Sequence, residues 1–192
     1  MKKIVIVLSF VSISVTAQVP AEIMAISDTV MINDICIERV CFGDSINKLI
    51  KYFGNPDTVI YHPSEEGEFV EPINNEYYYD NLNVDFYMRF YEILHPGLTD
   101  KLLYGCRIDK YNMSVFIKSV PMIIGKTTIE DIKNVFPASA SHMKGSIHDS
   151  YIHIYITIPP ELKPVAGALI FKITLLCTNG LLKQIYTSFD LN

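Results

Sequence analysis

The chain has 192 residues, a formal net charge of −5 and 49 % hydrophobic residues. That length allows one domain or two small ones. An acidic chain without a basic cluster argues against nucleic acid and anionic membrane as partners, because cations must meet both.

The N-terminus accounts for part of the apolar content. Lys2 and Lys3 precede an apolar run from Ile4 to Val15, and Val15-Thr16-Ala17 offers a small-residue cleavage site. This is the pattern of a secretory signal peptide, residues 1–17, cut after Ala17. The apolar run is about 12 residues, well short of the roughly 20 that span a bilayer. The mature chain is therefore expected to be periplasmic or secreted, with no stable membrane insertion. No cysteine stands at the cleavage point to carry a lipid, and cleavage removes two lysines and no acid. Cys36, Cys41, Cys106 and Cys177 remain. An oxidising compartment permits three pairings, and buried apolar thiols are the alternative. Cys36 and Cys41 would face opposite ways on one straight strand, so their pairing needs a bend between them.

Gln18 to Asp28 reads as a loosely packed start, and Thr29 to Cys41 as a strand. Gly43 to Pro56 reads as a capped amphipathic helix. Asp44 or Ser45 serves as N-cap, Ile46, Leu49, Ile50 and Phe53 form one stripe, and Gly54 and Pro56 stop the helix. A strand over Thr58–His62 leads to a loop with Pro63, Ser64 and Gly67. Glu65, Glu66, Glu68 and Glu71 make that loop acidic without the Asp/Asn spacing of a calcium loop. Strands follow over Glu76–Asp80 and Leu82–Tyr91. In the latter, Val84, Phe86, Met88 and Phe90 alternate with Asp85, Tyr87, Arg89 and Tyr91. His95-Pro96-Gly97 breaks the run, and Lys101–Asp109 forms the next strand.

Met113 to Ile124 opens a second series. A helix begins at Thr127 or Thr128, with Thr127 and Glu130 at capping-box spacing and Ile129, Ile132, Val135 and Phe136 as its stripe. Ser139 to Gly145 reads as a loop. Over Ser150–Ile158, Ile152, Ile154, Ile156 and Ile158 alternate with Tyr151, His153, Tyr155 and Thr157. Ala168–Cys177, an Asn179-Gly180 hairpin turn and Leu182–Phe189 complete the chain.

The two series agree in order: strand, capped helix, loop, strands. Ile46, Leu49 and Phe53 match Ile129, Ile132 and Phe136, with one insertion after Gly125. The expectation is a duplicated unit, 18–110 and 111–192. Its fold class would be α+β, with each unit a helix plus antiparallel sheet and the helices packed on one face.

Gly43-Asp44-Ser45, Leu49 and Phe53-Gly54-Asn55-Pro56 resemble the signature of β-lactamase-inhibitor-protein-like domains and of SmpA/OmlA outer-membrane lipoproteins. Gly125 and Thr127 repeat its start, while Pro137 stands where the signature has glycine. The resemblance implies tandem units whose helices lie behind a sheet with a concave, protein-binding face. The missing lipidation cysteine separates the chain from the lipoproteins.

Motifs for chemistry are sparse. Gly43-Asp44-Ser45-Ile46-Asn47 fails the nucleophile-elbow pattern at its last position. Ser146, His148 and Asp149 are loop neighbours, whereas triads join separated segments. His142, His148 and His153 lack helical metal-ligand spacing, and no phosphate loop is present. No catalytic residue, metal site or cofactor is assigned. The outward residues Tyr87, Arg89, Tyr91, Tyr151, His153 and Tyr155 form the candidate binding site. Tyr and Arg bury area at small entropic cost and keep a polar tip. The expected function is a non-catalytic interaction protein whose partner is a protein in the cell envelope or outside it. An envelope-assembly accessory is the second reading, and a small hydrolase using His148 or His153 the third.

Overall fold

Valine and isoleucine dominate the stretch after Asp28, yet the chain there folds as three short strands. In the computed structural model, which describes residues 27–61, 74–80, 84–89, 102–146, 148–159 and 169–191, β1 spans Thr29–Met31. A 3-10 turn over Ile32–Asp34 follows, and a hairpin of β2 (Ile35–Ile37) and β3 (Val40–Cys41) replaces the single strand expected there. Glu38, at φ 54°, makes the reversal. The expected signal peptide, the expected acidic loop, Tyr91 and the His95-Pro96-Gly97 break lie outside the described residues.

Helix α1 spans Ile46–Phe53 and buries Ile46 and Leu49. Ser45 is its N-cap residue but makes no side-chain cap bond. Asp44 instead accepts from the Cys41 N–H and from the Lys48 ammonium, both at 2.6 Å. Gly54, at φ 85° and ψ −171°, ends the helix in a conformation that only glycine adopts readily. Strands β4 (Thr58–Tyr61), β5 (Asn74–Tyr79), β6 (Val84–Arg89) and β7 (Leu102–Ile108) then pair in sequence as an antiparallel meander.

The second series starts with another hairpin, β8 (Ser114–Ile117) and β9 (Val120–Ile123). Its turn residues Lys118 and Ser119 sit at φ 49° and 65°. Helix α2 spans Ile129–Val135, with Thr128 rather than Thr127 as N-cap and Asp131 closing the capping box. The Thr127 hydroxyl is drawn away by the Ile123 N–H, which donates to it at 2.7 Å. Residues expected to form a loop become helix α3, Pro137–Ser141, with proline at its first turn where the missing N–H is harmless. The short β10 (Lys144–Gly145) precedes β11 (Asp149–Thr157), β12 (Leu169–Thr178) and β13 (Leu181–Leu191). Asn179 and Gly180, at φ 50° and 80°, form the turn between the last two.

These strands make two sheets. The nine-stranded sheet runs β1-β11-β12-β13-β7-β6-β5-β4, with β10 also on β11; the four-stranded sheet runs β3-β2-β8-β9. The protein is thus mainly β. The expected α+β class, with helices as a layer on one sheet face, is overturned by thirteen strands against three α-helices of 8, 7 and 5 residues among the described residues. The physical reason is area. Ile46, Leu49 and Ile132 are the buried residues that α1 and α2 offer, too few to cover nine strands. The small sheet supplies Ile35, Ile37, Val40, Val115, Ile117 and Met122 to the same core. Sequence reading missed that sheet because its hairpins are short and neither turn carries an Asn-Gly or Asp-Gly signal.

The two halves meet along backbone edges. In the large sheet β7 pairs antiparallel with β13, Arg107 opposite Tyr186. In the small sheet β2 pairs antiparallel with β8, Cys36 opposite Phe116. Both helix entries hang on the last strand of their own half. The Gly43 N–H donates to the Leu103 carbonyl and the Leu103 N–H to Asp44; the Gly125 N–H donates to Leu182 and the Leu182 N–H to Thr127. Arg107 follows Leu103 by the same four positions as Tyr186 follows Leu182, so exchanging the halves maps the junction pair onto itself. One element breaks this relation. β1 leaves the first half and pairs in parallel with β11, Thr29 opposite Tyr155. Asp28 fixes the crossover, its carboxylate accepting from the Ser139 N–H at 2.8 Å while its own N–H donates to the Ser139 hydroxyl at 2.9 Å.

Candidate functional site

Alternation in β11 divides the large sheet into two faces. Ile152, Ile154 and Ile156 are 0–3 % exposed and belong to the core, while Tyr151, His153 and Tyr155 are half-buried on the opposite face. Because paired residues in an antiparallel sheet share a face, the register extends this polar side across the strands. Tyr151 stands opposite Leu176, His153 opposite Thr174 and Tyr155 opposite Lys172. Thr174 in turn stands opposite Tyr186, Tyr186 opposite Arg107, Arg107 opposite Asp85 and Asp85 opposite Tyr78. One row therefore runs from His153 to Tyr78 through both halves.

The sequence-predicted residues enter this row unequally. Tyr151, His153 and Tyr155 lie together on β11. Tyr87 takes the register position between Glu76 and Gly105, and Arg89 that between Asn74 and Leu102. Both are on β6, three strands beyond β12, so the five described residues do not share one stretch of the sheet. Tyr91 lies outside the described residues. Sequence reading missed Tyr186, Arg107 and Lys172, which lie between the two groups. Tyr186 follows Ile185 in a strand whose alternation was legible, so its outward position could have been read. The junction of β13 with β7 could not, because edge pairing leaves no periodic signal.

Local bonds order the centre of the face. His153 Nδ1 is hydrogen-bonded to the Thr174 hydroxyl at 3.0 Å, and Thr174 is fully buried in the row between His153 and Tyr186. On the core side the Cys106 N–H donates to the Thr187 hydroxyl at 2.9 Å, joining β7 to β13 beyond their two register pairs. Burial pushes the Cys177 thiol up to about 11, and Cys106 is likewise buried and not part of a disulfide. The raised value at Cys177 is the opposite of what marks a reactive cysteine. Cys36 and Cys41 form a disulfide across β2 and β3, on the half-exposed side of the small sheet.

The loop with Ser146, His148 and Asp149 does not assemble a nucleophile. The Ser146 hydroxyl accepts from the N–H groups of His148 and Asp149, both at 3.2 Å. The His148 ring lies 3.4 Å from the Asn179 amide oxygen, and Asp149 accepts from the Thr178 hydroxyl at 2.7 Å. These bonds close a turn rather than align an imidazole on a hydroxyl. Among the described residues no three His, Cys, Asp or Glu side chains are grouped to hold a metal ion, and no helix is long and apolar enough to cross a membrane. The chain matches no family model, and no curated protein or solved structure is significantly similar to it.

Proposed function

We propose that this is an exported, non-catalytic interaction protein that binds a protein partner on the polar, tyrosine-bearing face of its nine-stranded sheet. The observation that carries the reading is the continuous row from His153 through Thr174, Tyr186 and Arg107 to Tyr78. Among the described residues the halves pair edge to edge through β7 and β13, which supports this reading. A broad sheet face with half-buried tyrosines suits recognition by area and hydrogen-bonding tips rather than by a deep pocket. The resemblance of Gly43 to Pro56 to inhibitor-like tandem domains, and the matching hydrogen bonds of the two helix entries, support descent from one duplicated unit.

The test is capture from envelope and culture-medium fractions by cross-linking, repeated with Tyr87→Ala plus Tyr155→Ala. Capture of one protein by the wild type and its loss in the double variant is the expected result. Equal capture by both rejects the face as the site. If the captured protein belongs to outer-membrane assembly machinery, the role is that of an envelope accessory.

A further inference from the structure

We infer that the Cys36–Cys41 disulfide is a thiol–disulfide exchange site for a protein-borne dithiol, a role separate from the binding face above. Cys36 stands opposite Cys41 on one side and opposite Phe116 on the other, and Phe116 stands opposite Pro121. One row across all four strands of the small sheet thus carries the disulfide, a phenyl ring and a proline ring. Cys36, Cys41 and Phe116 are half-buried and Pro121 is exposed, whereas Ile35, Ile37, Val40, Val115, Ile117 and Met122 on the reverse side belong to the core. Cys106 and Cys177 are buried as well. A disulfide that reaches the surface is open to an attacking thiolate.

The fold does not hang on this bond. Its two ends are five residues apart in sequence, so it removes little freedom from the unfolded chain. Backbone pairing holds the cysteines from both sides: Ile37 stands in register with Val40, and the Phe42 N–H donates to the Ile35 carbonyl at 2.8 Å. The Asp44 carboxylate accepts from the Cys41 N–H, a bond that needs no sulfur. The hairpin of β8 and β9 stands without a disulfide, Phe116 and Pro121 filling the corresponding pair. The Asn33 carbonyl lies 3.9 Å from Cys36 Sγ, an acceptor in place for the thiol once it forms. An accessible bond that the architecture can spare suits exchange better than stapling.

In the exchange a thiolate of the dithiol attacks one Sγ, the Cys36–Cys41 bond breaks, and the other cysteine leaves as a thiolate. The second thiol of the donor then attacks the mixed disulfide and releases the first cysteine. Two electrons and two protons pass to this protein, which ends with two thiols, and the donor ends as a disulfide. A dithiol completes both steps itself, whereas a monothiol needs a second molecule. Phe116 and Pro121 offer a protein-borne dithiol an apolar surface to seat against.

The experiment equilibrates the full mature chain with equal amounts of the dithiol and disulfide forms of thioredoxin, then counts thiols by mass after native alkylation. At least about one-tenth of the Cys36–Cys41 pairs should be reduced, an equilibrium within about tenfold of the thioredoxin couple or beyond it. The reduced chain should keep the near-ultraviolet dichroism of the oxidised one. Phe116→Ser plus Pro121→Ser should slow reduction by thioredoxin roughly fivefold and leave the rate with dithiothreitol unchanged. Pro121→Lys serves if that pair fails to fold, with the same contrast between reductants. A smaller reduced fraction, loss of the native spectrum on reduction, or the same rate change with both reductants overturns the inference. Tyr87→Ala plus Tyr155→Ala should exchange at the wild-type rate whatever it does to partner capture; slower exchange in that variant overturns a separate site.

Discussion

The two helix entries solve one problem with different side chains. In each, a glycine at positive φ (Gly43 at 86°, Gly125 at 81°) donates its N–H to the closing strand of its own half. In the first half the adjoining hairpin is clamped by the Cys36–Cys41 disulfide, and the helix has no side-chain cap bond. In the second, Phe116 and Pro121 occupy the corresponding register pair, and the Thr128–Asp131 capping box holds the helix start. The difference teaches that the shared backbone bonds define the entry, while the reinforcement around it is interchangeable: a covalent link outside the helix, or polar bonds within its first turn.

The largest effect should come from closing the space at the second entry. A Cβ on Gly125 would lie 1.8 Å from Tyr111 Cε2, and the backbone there is already at positive φ. Gly125→Ala should cost roughly 3 kcal/mol in denaturant unfolding, and adding Tyr111→Ala should recover the part due to the ring. Gly54, also at positive φ, has nothing within 4 Å of such a Cβ. Gly54→Ala should therefore cost only the backbone term, roughly 1 to 2 kcal/mol.

Next comes the clamp. Cys36→Ser plus Cys41→Ser should lower stability by about 2 kcal/mol, since the closed loop is short. The paired measurement is a thiol titration. Two thiols, Cys106 and Cys177, should react only after unfolding, and two more only after reduction. Any thiol that reacts in the native state contradicts the burial of this pair. Smaller again is the cap. Thr128→Ala should cost about 1 kcal/mol, whereas Ser45→Ala should be nearly neutral, because only Thr128 accepts a capping N–H. Equal costs at the two positions would mean that the two helix entries are capped alike.

The smallest effect is in pH. The Thr128 hydroxyl and N–H hold the Asp131 carboxyl below its usual value. A group depressed in the folded state contributes stability above its unfolded pKa and loses it as pH falls through the folded one. The difference between wild type and Thr128→Ala should thus shrink on acidification below the ordinary carboxylate range, as read from midpoints of thermal unfolding. At alkaline pH the sign reverses for Tyr79. Burial, then Tyr77 and Asp57, pushes its hydroxyl up to about 12, and that hydroxyl donates to the Gly54 carbonyl at 2.9 Å. Its contribution is present below the ordinary tyrosine value and is lost as pH rises through about 12. Tyr79→Phe should flatten that decline.

Local pattern determined much of this protein. The stripe of Ile46 and Leu49, the glycine stop at Gly54, the alternation of Ile152, Ile154 and Ile156 against Tyr151, His153 and Tyr155, and the Asn179-Gly180 turn all follow from periodicity and backbone sterics over a few neighbours. Tertiary structure alone decided the rest: the second sheet that makes the protein mainly β, the parallel docking of β1 beside β11, the choice of Thr128 over Thr127 as cap, and the placing of Tyr186 and Arg107 between the predicted site residues. The reason is that strand edges pair through backbone N–H and C=O groups that every residue carries, so side-chain sequence marks which face of a strand is buried but not which edge it will meet.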